Sequence, residues 1–351
     1  MKTLVNNIIQ FDLPDSLACP LPTERRNIKR DEVRLLVSKD SGELLHDHFH
    51  QLDHYLSPGD VLVVNTSATI PAALPLKLSG GIPAKLHLST RLSERKWLVE
   101  IREIQGDKSI RWKEGEQGMI FDLPAGGRIQ LQERHYREEH LLDLWKAEIH
   151  LDQELETYLA KHGRPIKYTQ LNESYPLSYY QTQFSFHPGS VEMPSAGRAF
   201  SLELMKRLIR KGIVFAPILL HCGVSSLEEG EKPYSEYMEV NPLSALRINE
   251  AKRMGKRIIA VGTTAIRAIE SAVNEAGIIE PYRGKTDLYI HESYPIKVTD
   301  GLLSGFHEPK ASHLHILQAL LGFKHIERAY KEAIRSAYHW HQFGDLHLML
   351  K

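Results

Sequence analysis

Two textures of hydrophobic patterning divide the chain. Residues 32–68, EVRLLVSKDSGELLHDHFHQLDHYLSPGDVLVVNTSA, predict a strand, a turn, a short helix, a second turn and a strand. Ser41-Gly42 and Pro58-Gly59-Asp60 mark the turns, and Leu62, Val63 and Val64 form the apolar run of a buried strand. From about Ala73 to Leu151 the pattern becomes a two-residue alternation, with Trp97, Val99 and Ile101 on one face. Gly80-Gly81, Gly106-Asp107, Glu114-Gly115 and Gly126-Gly127 punctuate it. Short alternating strands so punctuated predict a small antiparallel sheet or barrel.

After about residue 152 strands and helices alternate again. Ser201 can cap a helix whose apolar face is Leu202, Met205, Leu208 and Ile209, with Phe200 and Met205 at staple spacing and Gly212 as the stop. IVFAPILLH (213–221) predicts a buried strand broken at Pro217, and LSALRINEAKRMG (243–255) a helix. KRIIAV (256–261) predicts a strand, and Gly262-Thr263-Thr264 leads into a helix stopped by Gly277. TDLYIHES (286–293) reads as a strand, followed by helices in ASHLHILQALLG (311–322) and HIERAYKEAIRSAYHW (325–340). The expected fold is α/β: a mostly parallel main domain from residues 1–72 and 152–351, interrupted by an antiparallel β-barrel at 73–151.

Composition narrows the partners. The 351 residues carry 44 basic and 44 acidic side chains. Proteins that live on nucleic acid usually hold a basic excess, so the balance argues against such a life, although a local patch would suffice. The basic clusters around Arg25-Arg26, Arg95-Lys96, Lys206-Arg207 and Arg253-Lys256 read as solvated helix surface. Two distant cysteines, Cys19 and Cys222, exclude a disulfide scaffold and suit a reducing cytoplasm. No apolar run nears the roughly 20 residues of a membrane span. The stretch MKTLVNNIIQFDLPDS lacks a signal-peptide pattern, so a cytoplasmic location is expected. Nineteen histidines invite a metal reading. However, HDHFH (46–50), HLH (313–315) and HWH (339–341) would align their imidazoles only on strands, and none is His-Glu-x-x-His. No metal is expected.

Candidate chemistry gathers at four places. Gly262, Thr263 and Thr264 form a strand-to-helix junction with Arg267 one turn on, suited to an anion; plain capping by Thr264 is the competing reading. Gly189, Ser190, Pro194, Ser195 and Gly197 lie in HPGSVEMPSAGRAF, either a crossover or a loop whose backbone approaches a ligand. GFHEPKASH brings Phe306, His307 and Lys310, and Gly344-Asp345 opens the last strand.

These strings, in this order, resemble the S-adenosylmethionine:tRNA ribosyltransferase-isomerase family of queuosine biosynthesis. The resemblance rests on FDLP (11–14), RLLV (34–37), SPGDVLVVNTSATIPAAL (57–74), YYQT (179–182) and GSVEMPSAGRAF (189–200). It continues through LLHCG (219–223), AVGTTAIRAIE (260–270), GFHEPKAS (305–312) and FGDLHLML (343–350). The resemblance implies an α/β domain interrupted by a β-barrel. It also implies transfer and isomerisation of the ribosyl group of S-adenosylmethionine onto 7-aminomethyl-7-deazaguanine in the tRNA anticodon, giving epoxyqueuosine. Adenine and methionine are released, and no cofactor is needed beyond S-adenosylmethionine as substrate. That chemistry requires a base at the C5′ position beside the sulfonium, with His221, His307 and Asp345 as candidates. Arg267 or a helix N-terminus would receive the methionine carboxylate. The chain departs from the family pattern at Ala68 and Ala73, where arginines are usual, and at Arg198-Ala199, where Leu-His is usual. Those departures leave open a paralogue acting on another nucleoside-type substrate, or a non-catalytic RNA- or nucleoside-binding protein on the same fold.

Overall fold

The computed structural model describes residues 8–106, 108–137, 140–167, 175–224 and 235–351. The apolar runs at the start become β1 (Arg34–Lys39) and, after an intervening β2 (Leu44–His48), β3 (Val61–Asn65). Leu44–His48, expected to be helical, is a strand because a tight turn (Lys39 N–H to the Glu43 carbonyl, 3.0 Å) folds it back along β1. Only Phe49–Tyr55 then coils, as a 3₁₀ helix.

Short β4 (Ser67–Thr69) precedes the alternating region, which forms an antiparallel sheet of its own. Its strands are β5 (Ala73–Lys77), β6 (Pro83–Arg91), β7 (Lys96–Gln105), β8 (Lys108–Arg111), β9 (Ile120–Asp122), β10 (Arg128–Arg137) and β11 (His140–His150). The order is β5-β6-β7-β11-β10-β9, with β8 on β7, and the curl brings the edge strands β5 and β9 beside each other. Trp97, Val99 and Ile101 do face one apolar core, with Leu86, Leu88, Trp145 and Ala147. The opposite face of β7 is not simply wet: buried Glu100 is paired with Arg102 (2.9 Å) and Arg111 (2.7 Å).

The rest of the chain supplies α1 (Leu155–His162), β12 (His187–Ser190), α2 (Leu202–Arg210), β13 (Val214–Leu220), β14 (Glu236–Val240) and α3 (Pro242–Arg253). It continues with β15 (Ile258–Val261), α4 (Thr263–Ser271), β16 (Tyr282–Thr286), β17 (Gly301–Gly305), α5 (His313–Leu321), α6 (Phe323–Arg335) and β18 (Leu346–Leu350). A nine-stranded sheet runs β16-β14-β13-β3-β15-β17-β18-β1-β2, and β12 pairs separately with β4. Its centre, β13-β3-β15-β17, is parallel as the pattern implied, as is β18-β1. Antiparallel pairs at both ends and at β17-β18 make the whole sheet mixed.

Four local expectations are corrected. The buried face of α2 is Leu204 and Leu208, whereas Leu202 and Ile209 point outward; Ser201 does cap it, accepting from Leu204 N–H at 3.1 Å. Pro217 does not break β13: the antiparallel neighbour β14 joins only at Leu219, so no partner wants the missing N–H. α4 ends at Ser271, because Asn274 accepts from Ala276 and Ile278 N–H and turns the chain before Gly277. The strand lies at 282–286 rather than 286–293, since the Thr286 hydroxyl accepts from Leu288 N–H (3.1 Å) and swings the chain off the sheet.

Candidate functional site

β3, β13, β15 and β17 end at the same edge of the sheet, and the segments leaving them meet in one cavity of about 320 Å³. In open α/β sheets this carboxyl edge is where loops are free to surround a ligand. Gly262, Thr263, Thr264 and Arg267 line it from β15 and α4, and Phe306 and His307 from the end of β17. Pro194 and Ser195 form the facing wall. Three segments far apart in the sequence thus make one site.

Its polar groups are mostly held in place by the protein. Gly262, at φ 94°, is the N-cap of α4, so capping by Thr264 is not what this junction does; the Thr264 hydroxyl instead accepts from Asn65 Nδ2 at 3.2 Å. The Arg267 guanidinium is buried, ion-paired with Glu236 and donating from Nε to the Leu288 carbonyl at 3.0 Å. Glu236 also accepts Gly223 N–H (2.8 Å), tying the loop after β13 to α4.

Three imidazoles share the cavity. His307 Nε2 lies 2.8 Å from the Ser304 hydroxyl, and its ring stacks on His313, with centroids 4.7 Å apart and planes within 6°. Burial, then the neighbouring His313 and His347, hold His307 well below the ordinary histidine value. Burial, then Arg267, bring His313 down to about 4. His341, at φ 72°, pairs with Glu308, also in the lining, at 3.0 Å, and that hydrogen bond keeps the Glu308 carboxyl below its usual range. Glu236 carried no motif; Glu308 and His313 lay in GFHEPKASH without being singled out, and His313 and His341 sat in His-x-His strings set aside because that spacing separates rings on a helix.

The remaining candidates lie outside the lining. His221 stands behind the wall, 2.8 Å from the Ser67 hydroxyl and stacked on Tyr237, and burial lowers it to about 4. Gly189 packs flat on that ring, where a Cβ would come within 2.4 Å. Ser190 bonds Ser67 and accepts Cys222 N–H, and Gly197 sits buried in a 3₁₀ turn, so these residues shape the wall. Asp345 accepts Arg34 and His339 N–H, both at 2.8 Å, which makes it a buried brace for the last strand. Lys310 occupies a left-handed position (φ 66°) on the exposed shoulder of its loop. Among the described residues no cluster of three or more His, Cys, Asp or Glu side chains has a metal-holding arrangement.

The model of the queuosine biosynthesis protein family matches residues 7–349. The chain belongs to this family. An S-adenosylmethionine:tRNA ribosyltransferase-isomerase of Carboxydothermus hydrogenoformans is 34% identical over 353 residues, covering 97% of this chain and 98% of that protein. The protein of the same name from Desulfitobacterium hafniense is 35% identical over 355 residues, with the same coverage. The fold is that of the S-adenosylmethionine tRNA ribosyltransferase of Thermotoga maritima, with a TM-score of 0.53 at 26% identity over 97% of this chain and 99% of that one.

The departures from the family pattern now have places. Ala68 is buried in β4 opposite Pro188 of β12, next to Thr69 of the cavity wall, and Ala73 pairs through its backbone with Arg164. Arg198 points away from the cavity. Its guanidinium bonds Glu24, the Thr23 hydroxyl (3.1 Å) and the Tyr179 carbonyl (3.0 Å), and lies over the Phe343 ring.

Proposed function

We propose that this protein is an S-adenosylmethionine:tRNA ribosyltransferase-isomerase. It transfers and isomerises the ribosyl group of S-adenosylmethionine onto 7-aminomethyl-7-deazaguanine in the tRNA anticodon to give epoxyqueuosine, releasing adenine and methionine. The observation that carries the reading is the convergence of 193–196, 262–267 and 304–309, segments distant in sequence, on one cavity at the carboxyl edge of the sheet. Full-length similarity to enzymes of that name supports it. His307 is the base we assign at C5′: it lines the cavity, is oriented by Ser304, and is neutral in the free protein. The methionine carboxylate falls to the first turn of α4, since the Arg267 guanidinium is already engaged by Glu236. We take residues 73–151 as an inserted β-barrel domain within a main domain of 1–72 and 152–351, and S-adenosylmethionine as a substrate with no further cofactor. A cytoplasmic site of action fits that tRNA substrate, and among the described residues no helix is long and apolar enough to cross a membrane.

The test is to incubate the protein with S-adenosylmethionine and tRNA bearing the deazaguanine precursor, then digest the tRNA and weigh its nucleosides. Appearance of the epoxycyclopentanediol adduct supports the reading; unchanged precursor contradicts it. A second reading, a different acceptor in the same nucleoside cleft, is favoured by the cavity's charges. Glu192, Glu236 and Glu308 line it against a single described cation, Arg267, which is itself paired.

A further inference from the structure

We propose that His313 contacts the substrate, hydrogen-bonding the nucleoside portion of S-adenosylmethionine. The inference rests on the cavity being the S-adenosylmethionine site, and it adds a residue that was not among the sequence candidates for the site.

Three imidazoles face the cavity, and two are engaged by the protein. His307 is turned by Ser304, and His341 is held by Glu308. His313 lines the same space with neither ring nitrogen hydrogen-bonded among the described residues; its contact is the flat stack on His307. The ring is half-buried, so its unmatched nitrogens are open to the cleft and available to a ligand. The stack also fixes the plane in which those nitrogens present themselves, so the ordering of the ring is complete before a ligand arrives.

The chemistry of the partner is set by the charge state. Burial and the Arg267 guanidinium disfavour a cationic ring, so His313 offers one N–H donor and one bare acceptor nitrogen. That pair matches groups that both give and take hydrogen bonds, such as ribose hydroxyls and the edge of adenine. A carboxylate would want a cation, and a sulfonium offers nothing to donate or accept. Hence the assignment to the nucleoside portion rather than to the charged amino-acid tail.

The test is calorimetric titration of the full chain with S-adenosylmethionine and with S-adenosylhomocysteine, which keeps the nucleoside and lacks the sulfonium charge. His313→Phe retains ring volume and the stack but removes both nitrogens. It is expected to weaken both ligands about tenfold and equally, the scale of one well-placed hydrogen bond. His313→Gln, which restores a donor and an acceptor, is expected to recover most of that loss; its recovery separates a lost contact from a damaged fold. Binding by His313→Phe within about twofold of wild type, or a loss confined to S-adenosylmethionine, overturns the inference alone. A wild type that binds neither ligand overturns the reading of the site, and this inference with it.

Discussion

His307 and His313 lie face to face, so a proton on either ring makes a proton on the other harder to add. Burial already disfavours the first, and both rings are neutral well below the ordinary histidine value. A base of this kind works in its neutral form and fails only when pH falls through its depressed pKa. Adenine release at subsaturating substrate should therefore show no loss centred near the ordinary histidine value of about 6.5, its acid limb being displaced below it. A limb centred at 6.5 in the pH–rate profile would remove His307 from the role. Arg198 gives the complementary case. It is buried beside Glu24, whose carboxyl burial pushes up but whose backbone hydrogen bond and the adjacent Arg198 and Arg30 bring down to about 2. Arg198→Ala should cost roughly 2 kcal/mol of stability by removing the guanidinium's bonds to Glu24, Thr23 and Tyr179, seen as a lowered Tm. Because the guanidinium points away from the cavity, S-adenosylmethionine affinity should stay within twofold of wild type. From the sequence Arg198 stood out as a foreign side chain in a ligand loop. Its partners Thr23, Glu24 and Phe343 are remote along the chain, and no local pattern could have paired them.

Among elements, those whose signal is local were legible. The cap of α2 at Ser201, the apolar runs of β3 and β15, and the alternation of β7 each arise from residues within one element. The features that escaped were set by neighbours: Leu44–His48 became a strand because β1 was there to pair with it, and α4 stopped short because Asn274 bound the next turn. The facing wall is the sharpest case. HPGSVEMPSAGRAF, a crossover by composition, begins with β12 laid parallel on β4 and continues through a 3₁₀ turn to the cap of α2. Gly189 makes that path possible by lying against His221, which Ser67 and Tyr237 hold from its other sides. Gly189→Ala should therefore destabilise the protein by about 1–3 kcal/mol, the range of an overpacked core. It should also weaken S-adenosylmethionine binding through the displaced wall. An unchanged Tm would mean that the ring is free to move and that the wall is not braced as described.

At the scale of the molecule, the parallel centre of the nine-stranded sheet does the positioning. β3, β13, β15 and β17 deliver their loops to one edge, and the cavity forms where they meet. Motif order along the chain singled out three of the loops that meet at the cavity. It could not show that Asp345 and His221 serve as braces while His313 and Glu236 reach the cavity, because that distinction depends on which side of a strand or helix turns inward. The chain's overall charge is balanced, whereas the charged lining of the cavity is more acidic than basic. The direct measurement is adenine release by the wild-type protein from S-adenosylmethionine, with and without tRNA carrying 7-aminomethyl-7-deazaguanine. The account predicts adenine appearing only with that tRNA, one equivalent for each modified nucleoside. Binding of S-adenosylmethionine and the tRNA with no adenine formed would contradict it.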